Sequence, residues 1–354
     1  MRQVQQDTYF VPVIQNTPPL PSIDWSLIGQ QAPVLLDTPA GVLPQADVIL
    51  ITWSPTEWAA LEQVFCNSSG TMPYSEQNTA YWSGWQIYNW GMPPYSGSDP
   101  WTYWGYYRLV QIQGKNVLLF KSNTHYPWPG PTYLEEMVAN LIAAVQPSLV
   151  MSTGTAGGAQ VYDHTGTVRV IRAATLYLPC VPQSDWITYQ DSWLANWSVA
   201  GNTNFDKLLF PVPTTESDLE SIAEQFNQYY GTDYTLSQFD PNNLDMGDPI
   251  PLIYNMTPSG TSVLTTATFI VGNTDGNYAN FACIEMDDAI VARACFKHTT
   301  LFGFVRNLSD PVSNAALPVD VQSNWGSALY NAYGFYTSFN SALTAWALIS
   351  GQLG

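Results

Sequence analysis

Hydrophobic residues in this chain form short continuous runs that alternate with longer stretches in which apolar residues recur at helical spacing. The short runs DVILITW and SLVMST are typical of strands that are covered on both faces. The predicted strands are 47–53, two strands within 108–122, then 148–153, 166–174, 266–271, 281–286 and 301–306. The predicted helices are one that begins after Ser54, then 132–145, 215–230, 287–298 and 325–350. This alternation predicts an α/β fold with a central sheet.

Polar residues follow several of these strands at the point where each is predicted to end. Glu57, the glycine-rich stretch 154–158, Asp287 and Asp310 all lie in such positions. Ligands of open α/β sheets bind beyond the carboxyl ends of the strands. The pattern therefore predicts a binding site at this edge of the sheet.

The domain organisation follows from shifts in composition. Residues 1–44 are rich in proline and glutamine and are predicted to form an extended arm that packs on the body or on a partner subunit. Residues 45–354 are predicted to form one α/β domain with two insertions. The insertion at 71–107 contains five tryptophans, and the insertion at 176–262 is long and irregular apart from its one predicted helix.

The charge of the chain restricts its partners. Its 354 residues are 46% hydrophobic but only 11% charged, and the formal net charge is −18. An acidic surface repels phosphate backbones and anionic lipids, so we expect neither nucleic acid nor a membrane surface as a partner. Four scattered cysteines and three histidines do not predict a metal site. The start of the chain shows no apolar signal segment, so a cytoplasmic location is expected.

Three segments in order carry a family resemblance: LITWSPTEWAAL, VMSTGTAGGA, and IEMDDAIVARACF with the following FGFVRNLSD. Together they resemble the nucleoside phosphorylase and nucleosidase superfamily, and most closely the methylthioadenosine/S-adenosylhomocysteine nucleosidases. The resemblance covers roughly a third of the chain. It implies a mixed central sheet flanked by helices, a small-molecule nucleoside substrate, no metal or organic cofactor, and assembly into a homo-oligomer.

The resemblance also implies roles for individual residues. Asp310 corresponds to the acid at purine N7, and Glu57 corresponds to the glutamate that orients the attacking water. Asp287 stands where the family has a glutamate that binds ribose hydroxyls. The remaining implied substrate-binding residues are Met286 against the sugar, Glu285 beside it, Phe269 against the base, Thr155 near the nucleophile, and the motif arginine Arg306.

Four of these residues also have a structural interpretation. Glu57 fits the third position of a capping box with Ser54, and Asp287 fits a helix N-terminus, where the helix dipole favours acids. Asp310 fits a turn before Pro311, and Arg306 fits an ion pair. Because a cation beside Asp310 would oppose its protonation, we expect Arg306 to point elsewhere or to balance another carboxylate. The histidines and the tryptophans of 71–107 are expected to be structural.

Three departures from the family pattern leave the reaction open. The family carries Gly-x-Gly after the strand that corresponds to 117–121, whereas this chain has KSNTHYPWPGP at 121–131. Asp287 is one methylene shorter than the family glutamate, and the arginines that bind phosphate have no obvious equivalents. Hydrolysis of a purine nucleoside or a 5′-modified adenosine is therefore expected. The alternatives are a phosphorylase, which would need Arg108, Arg169 or Arg172 at its phosphate pocket, and a non-catalytic nucleoside-binding or storage protein.

Overall fold

The computed structural model describes residues 10–14, 21–69, 82–160, 163–191, 205–245, 252–270, 278–310 and 314–351. Its α-helices are α1 (Pro55–Phe65), α2 (Pro131–Val145), α3 (Glu216–Tyr230), α4 (Leu236–Phe239), α5 (Asp288–His298) and α6 (Val319–Ser350). Its strands are β1 (Val34–Leu35), β2 (Val48–Thr52), β3 (Gln86–Tyr88), β4 (Gly105–Ile112), β5 (Lys115–Ser122), β6 (Leu149–Gly157), β7 (Val168–Ile171), β8 (Ala173–Leu176), β9 (Ile187–Gln190), β10 (Ile253–Asn255), β11 (Val263–Thr265), β12 (Ile284–Glu285) and β13 (Leu301–Asp310).

Within the described ranges these thirteen strands form one mixed sheet. The strand β6 lies near its centre and runs parallel to both β2 and β13, and β2 is also parallel to β5. Antiparallel pairs surround this group, as between β4 and β5 and between β13 and β7. The carboxyl ends of these parallel strands therefore lie at a common edge of the sheet, which is where the sequence predicts the binding site.

Helices cover both faces of the sheet. Successive residues of the central strands point to opposite faces, so each strand contributes apolar side chains to two cores. Val48 and Leu50 of β2 pack in one core with α1 and α6. Ile49 and Ile51 of the same strand pack in a second core with α2 and α5. The predicted architecture, a mixed central sheet flanked by helices, is confirmed.

Several predicted boundaries are wrong near the site. The strands β6 and β13 do not stop at 153 and 306 but continue to Gly157 and Asp310, because they pair along this whole length with a bulge after Leu308. The polar residues of both segments therefore project from strands. The predicted strand at 266–271 is wrong, since β11 ends at Thr265, and 166–174 covers parts of two strands, β7 and β8.

The described part of the N-terminal segment packs on the domain body. Trp25 is buried and its ring lies 4.4 Å from that of Trp346 in α6, and β1 pairs with β4 at the edge of the sheet. Three of the five tryptophans of the predicted 71–107 insertion are buried: Trp85, Trp101 and Trp104. The division into an arm, a domain and two insertions stays a prediction.

Part of the 176–262 segment covers α6. The ring of Phe239 in α4 stacks on that of Trp325, with the ring centres 4.2 Å apart and an interplanar angle of 7°. The segment is more regular than expected, because it also contains β9 and β10.

All four cysteines are unpaired. Among the described residues, no helix has the length and apolar character needed to cross a bilayer.

Candidate functional site

A cavity of about 320 Å³ lies where β2, β6 and β13 end. The structure brings all eight of the predicted site residues to its wall: Glu57, Thr155, Phe269, Glu285, Met286, Asp287, Arg306 and Asp310. These residues come from five separate segments of the chain. Their proximity is a finding, and their individual roles stay predictions.

Glu57 is buried at the start of α1 and serves in the predicted capping box with Ser54. Its Oε2 accepts hydrogen bonds from the backbone N–H groups of Trp53 and Ser54, both at 2.9 Å. Its Oε1 accepts from the backbone N–H and from the hydroxyl of Thr155, both at 2.7 Å. The capping interpretation is thus correct, and Oε1 of the same carboxylate binds Thr155 on the cavity wall.

Asp310 ends β13 and is largely buried between two glycines. A Cβ on Gly157 would lie 3.0 Å from Asp310 Oδ2, and a Cβ on Gly326 of α6 would lie 3.1 Å from Asp310 Cβ. Burial raises the pKa of Asp310 to about 6, although the hydrogen bond that Ser309 Oγ donates to it at 2.7 Å lowers the pKa. Asp310 can therefore hold a proton at mildly acidic pH, where an ordinary aspartate is ionised.

Arg306 balances two other buried carboxylates, which was one of the two expected outcomes. Its Nε donates to Asp288 Oδ2 at 2.8 Å, and its Nη2 donates to Glu285 Oε2 at 3.1 Å. Burial and the negative charge of Asp288 raise the pKa of Glu285, and Arg306 opposes this rise. Arg306 is therefore an ion-pair residue that also lines the cavity.

Glu285, rather than Asp287, caps the start of α5 with its side chain. Asp287 is the N-cap residue, yet its side chain makes no capping hydrogen bond. The Glu285 carboxylate instead accepts from the backbone N–H groups of Asp287 at 2.6 Å and Asp288 at 3.0 Å. The pure capping interpretation of Asp287 is wrong, because its carboxylate accepts the backbone N–H of Tyr126 at 2.8 Å.

The remaining wall of the cavity is mostly apolar. Met286, Ile284 and Ile270 contribute aliphatic surface, and Phe269 lies at the rim with 46% of its surface exposed. Phe269 is not on a strand, contrary to the prediction, but in the segment that follows β11. An apolar wall beside convergent carboxylates is suited to a small molecule with an aromatic ring and a polar end.

Several residues of the cavity wall were not predicted from the sequence. Tyr330 of α6 donates a hydrogen bond from its hydroxyl to Ser54 Oγ at 2.7 Å, and burial, together with the charge of Glu57, raises the pKa of Tyr330 to about 12. His125, expected to be structural, lines the cavity, with its Nδ1 3.2 Å from Asp287 Oδ2. The missing Gly-x-Gly pointed to this loop, but no sequence signal indicated that the predicted C-terminal helix, α6, contributes to the site.

The arginines considered for a phosphate pocket lie elsewhere. Arg108 pairs with Glu62 at 3.0 Å, Arg169 pairs with Asp163, and Arg172 donates to backbone carbonyls of Thr257 and Asp191. In the described part of the chain, Arg306 is the one Lys or Arg side chain that lines the cavity.

No protein-family model and no curated protein matches the chain. Its structure is similar to that of a methylthioadenosine/S-adenosylhomocysteine nucleosidase of Neisseria meningitidis bound to methylthio-immucillin-A, with 11% identity over 86% of this chain and 99% of that chain and a TM-score of 0.44. It is also similar to futalosine hydrolase of Helicobacter pylori, with 11% identity, 86% and 98% coverage and a TM-score of 0.44. A third similar structure is a putative nucleosidase of the first kind from Borrelia burgdorferi bound to adenine, with 12% identity, 85% and 98% coverage and a TM-score of 0.46.

Proposed function

We propose that this chain hydrolyses the N-glycosidic bond of a purine nucleoside or a 5′-modified adenosine, giving free base and sugar. The observation that carries the proposal is that Glu57, Asp287 and Asp310 line one cavity of about 320 Å³. A cavity of this size is within the range of small-molecule sites. The first and third of the segments that resemble nucleosidases supply these carboxylates, Glu57 from the first and Asp287 and Asp310 from the third.

Asp310 is suited to the acid step. Cleavage of the bond leaves negative charge on the purine, and a proton delivered to N7 turns the base into a neutral leaving group. Asp310 fits this task because burial raises its pKa to about 6 and because Arg306, the one described Lys or Arg side chain on the cavity wall, is bound to Asp288 and Glu285.

The water step would pass through Thr155. The two oxygens of Glu57 already accept hydrogen bonds from Thr155 and from the start of α1, which leaves little room for a direct water ligand. The Thr155 hydroxyl donates to Glu57 Oε1 and keeps lone pairs that a water can bind. As water attacks the sugar carbon, it would give a proton to Thr155, whose own proton passes to Glu57.

Water is favoured over phosphate as the nucleophile. A bound phosphate normally needs a cluster of positive side chains or N–H donors. Arg306, the one described cation on the cavity wall, is already occupied by Asp288 and Glu285. None of Arg108, Arg169 and Arg172, one of which the phosphorylase alternative would need, lines the cavity.

The test is release of adenine from adenosine and methylthioadenosine in phosphate-free buffer, repeated with added phosphate. Equal rates in both buffers are expected. An absolute requirement for phosphate would contradict hydrolysis and favour the phosphorylase. The Asp310→Asn variant should fold and lose most activity, about 10²–10⁴-fold, and undiminished turnover would refute the assignment of the acid.

A non-catalytic nucleoside-binding protein is the second candidate. It is favoured by the saturated hydrogen bonding of Glu57 and by the short side chain of Asp287. Calorimetry with adenosine, inosine and methylthioadenosine, performed beside the base-release assay, separates the two functions. Binding of a nucleoside without any base release would favour the binding protein over the hydrolase.

A further inference from the structure

The loop after β5 brings a histidine to the cavity in place of the family's glycine-rich segment. This loop, residues 123–130, folds back on itself, since the backbone N–H of His125 donates to the carbonyl of Trp128 at 2.8 Å. The His125 ring lies 5.7 Å from that of Trp53, another wall residue. The loop thus holds His125 in a defined place on the cavity wall.

Both oxygens of Asp287 are directed to this loop. Oδ1 accepts the backbone N–H of Tyr126 at 2.8 Å, and Oδ2 lies 3.2 Å from His125 Nδ1. The Asp287 side chain is only 6% exposed, whereas that of His125 is 29% exposed. The imidazole is therefore the more accessible end of the pair.

The hydrogen bonding of the pair determines what its exposed end can do. A carboxylate only accepts hydrogen bonds, so Nδ1 carries the proton that is shared with Asp287. In the neutral ring, Nε2 is then an acceptor. No described residue hydrogen-bonds to Nε2, which leaves it available to a hydroxyl of a ligand.

We propose that His125 and Asp287 form one ribose-binding unit in which Nε2 of His125, rather than the Asp287 carboxylate, accepts a hydrogen bond from a 2′- or 3′-hydroxyl of the substrate. This inference rests on the proposed function and specifies its sugar site. Asp287 ends about 1.5 Å short of a glutamate at the same position, the length of one carbon–carbon bond. The imidazole bound to it restores the reach toward the sugar.

The test combines variants with substrates that lack single hydroxyls. Adenosine, 2′-deoxyadenosine and 3′-deoxyadenosine are assayed for base release with the parent, with His125→Phe, which keeps a planar ring, and with His125→Ala. For adenosine, both variants should lower kcat/KM about 10–100-fold, the effect of one lost hydrogen bond to a buried partner. For the analogue that lacks the contacted hydroxyl, the same variants should cause little further loss.

A rescue experiment addresses the reach of the side chain. Adding Asp287→Glu to His125→Ala should restore part of the lost kcat/KM for adenosine, because the longer carboxylate can contact the sugar directly. His298→Ala is the matched control, since His298 is exposed at the end of α5, and it should behave like the parent. Thermal unfolding of each variant establishes that it folds.

The outcomes separate this inference from the proposed function. If the parent releases no base, hydrolysis is refuted, and calorimetry with the same three nucleosides still measures the His125 contact. A loss of equal size for all three nucleosides, or no loss for any of them, would overturn the ribose contact even if the parent is an active hydrolase.

Discussion

Thr155 donates both its backbone N–H and its hydroxyl to the same oxygen of Glu57, each at 2.7 Å. The other oxygen of Glu57 is held by the backbone at the start of α1. Glu57 thereby joins a helix N-terminus to the end of the central strand β6. A glutamate fixed in this way cannot turn toward a ligand, so we expect its effect on the cavity to pass through the Thr155 hydroxyl.

Replacing Thr155 by valine removes the hydroxyl and keeps both the side-chain shape and the backbone donor. We expect kcat for base release to fall about 10²-fold, because the proton path to Glu57 is broken, while KM changes little. Thr155→Ser keeps the hydroxyl and should retain most of the activity. Equal kcat values for the valine and serine variants would show that the hydroxyl takes no part.

The activity should decline with rising pH as Asp310 loses its proton. Burial raises the pKa of Asp310 to about 6, and the proposed acid acts in its protonated form. The profile of kcat/KM should therefore have a descending limb with an apparent pKa near 6 in the free enzyme. A profile that rises between pH 5 and pH 7 would contradict the role of Asp310 as the acid.

The same pKa shift has a consequence for stability. The folded state binds the Asp310 proton more tightly than the unfolded chain, whose carboxyl has a pKa near 3.8. The contribution of Asp310 to the free energy of unfolding is thus largest below pH 4 and is lost as the pH rises to 6. Asp310→Asn should remove this pH-dependent component, which denaturant unfolding at pH 4 and pH 7 can measure.

The local parts of this fold could be predicted from the sequence. The cap formed by Ser54 and Glu57 is encoded within four residues, and the buried strands β2 and β6 are visible as apolar runs. The extension of β6 and β13 could not be foreseen, because it depends on pairing between residues such as Thr155 and Asn307 that are far apart in the chain.

Two features of the site depend on tertiary contacts in the same way. The placement of His125 against Asp287 joins the loop after β5 to the start of α5, and Tyr330 reaches the cavity only because α6 packs across α1. The motif resemblance predicted residues that lie within its segments, such as Asp310 on β13 and Glu57 on α1. His125 and Tyr330 lie outside those segments, so the resemblance did not predict them.

The glycines at the site leave space for specific groups. A Cβ on Gly154 would lie 2.8 Å from both Glu57 Oε1 and Arg306 Nη1. Gly154→Ala must therefore displace these groups, and we expect a loss of about 1–3 kcal/mol of stability together with a lower kcat. Gly326→Ala would press on Asp310 instead, where the nearest carboxylate oxygen lies at 3.5 Å.

The two glycine variants should differ in their pH profiles. Gly326→Ala is expected to shift the apparent pKa of kcat/KM, because it alters the surroundings of the acid, whereas Gly154→Ala should lower the rate without moving that pKa. Measuring kcat/KM from pH 5 to pH 8 for both variants distinguishes the acid end of the cavity from its water end. Identical shifts would contradict this division.

Removing Arg306 should destabilise the protein strongly and increasingly with pH. Arg306→Met leaves Asp288 and Glu285 buried without their cation, which typically costs about 3–5 kcal/mol. Burial already raises the pKa of both carboxyls against the influence of Arg306. Their pKa values should rise further without it, so the folded state would lose more stability than the parent as the pH rises.

A surface ion pair provides the matched control for Arg306. Arg293→Met breaks the ion pair between Arg293 and Glu135. The side chains of these two residues are 24% and 20% exposed, and ion pairs in contact with solvent contribute about 0–1 kcal/mol. Urea unfolding at pH 6 and pH 8 should show a large loss for Arg306→Met that is greater at pH 8, and a small loss for Arg293→Met at both. If Arg306→Met is no less stable than Arg293→Met, the buried carboxylates do not depend on Arg306 for compensation.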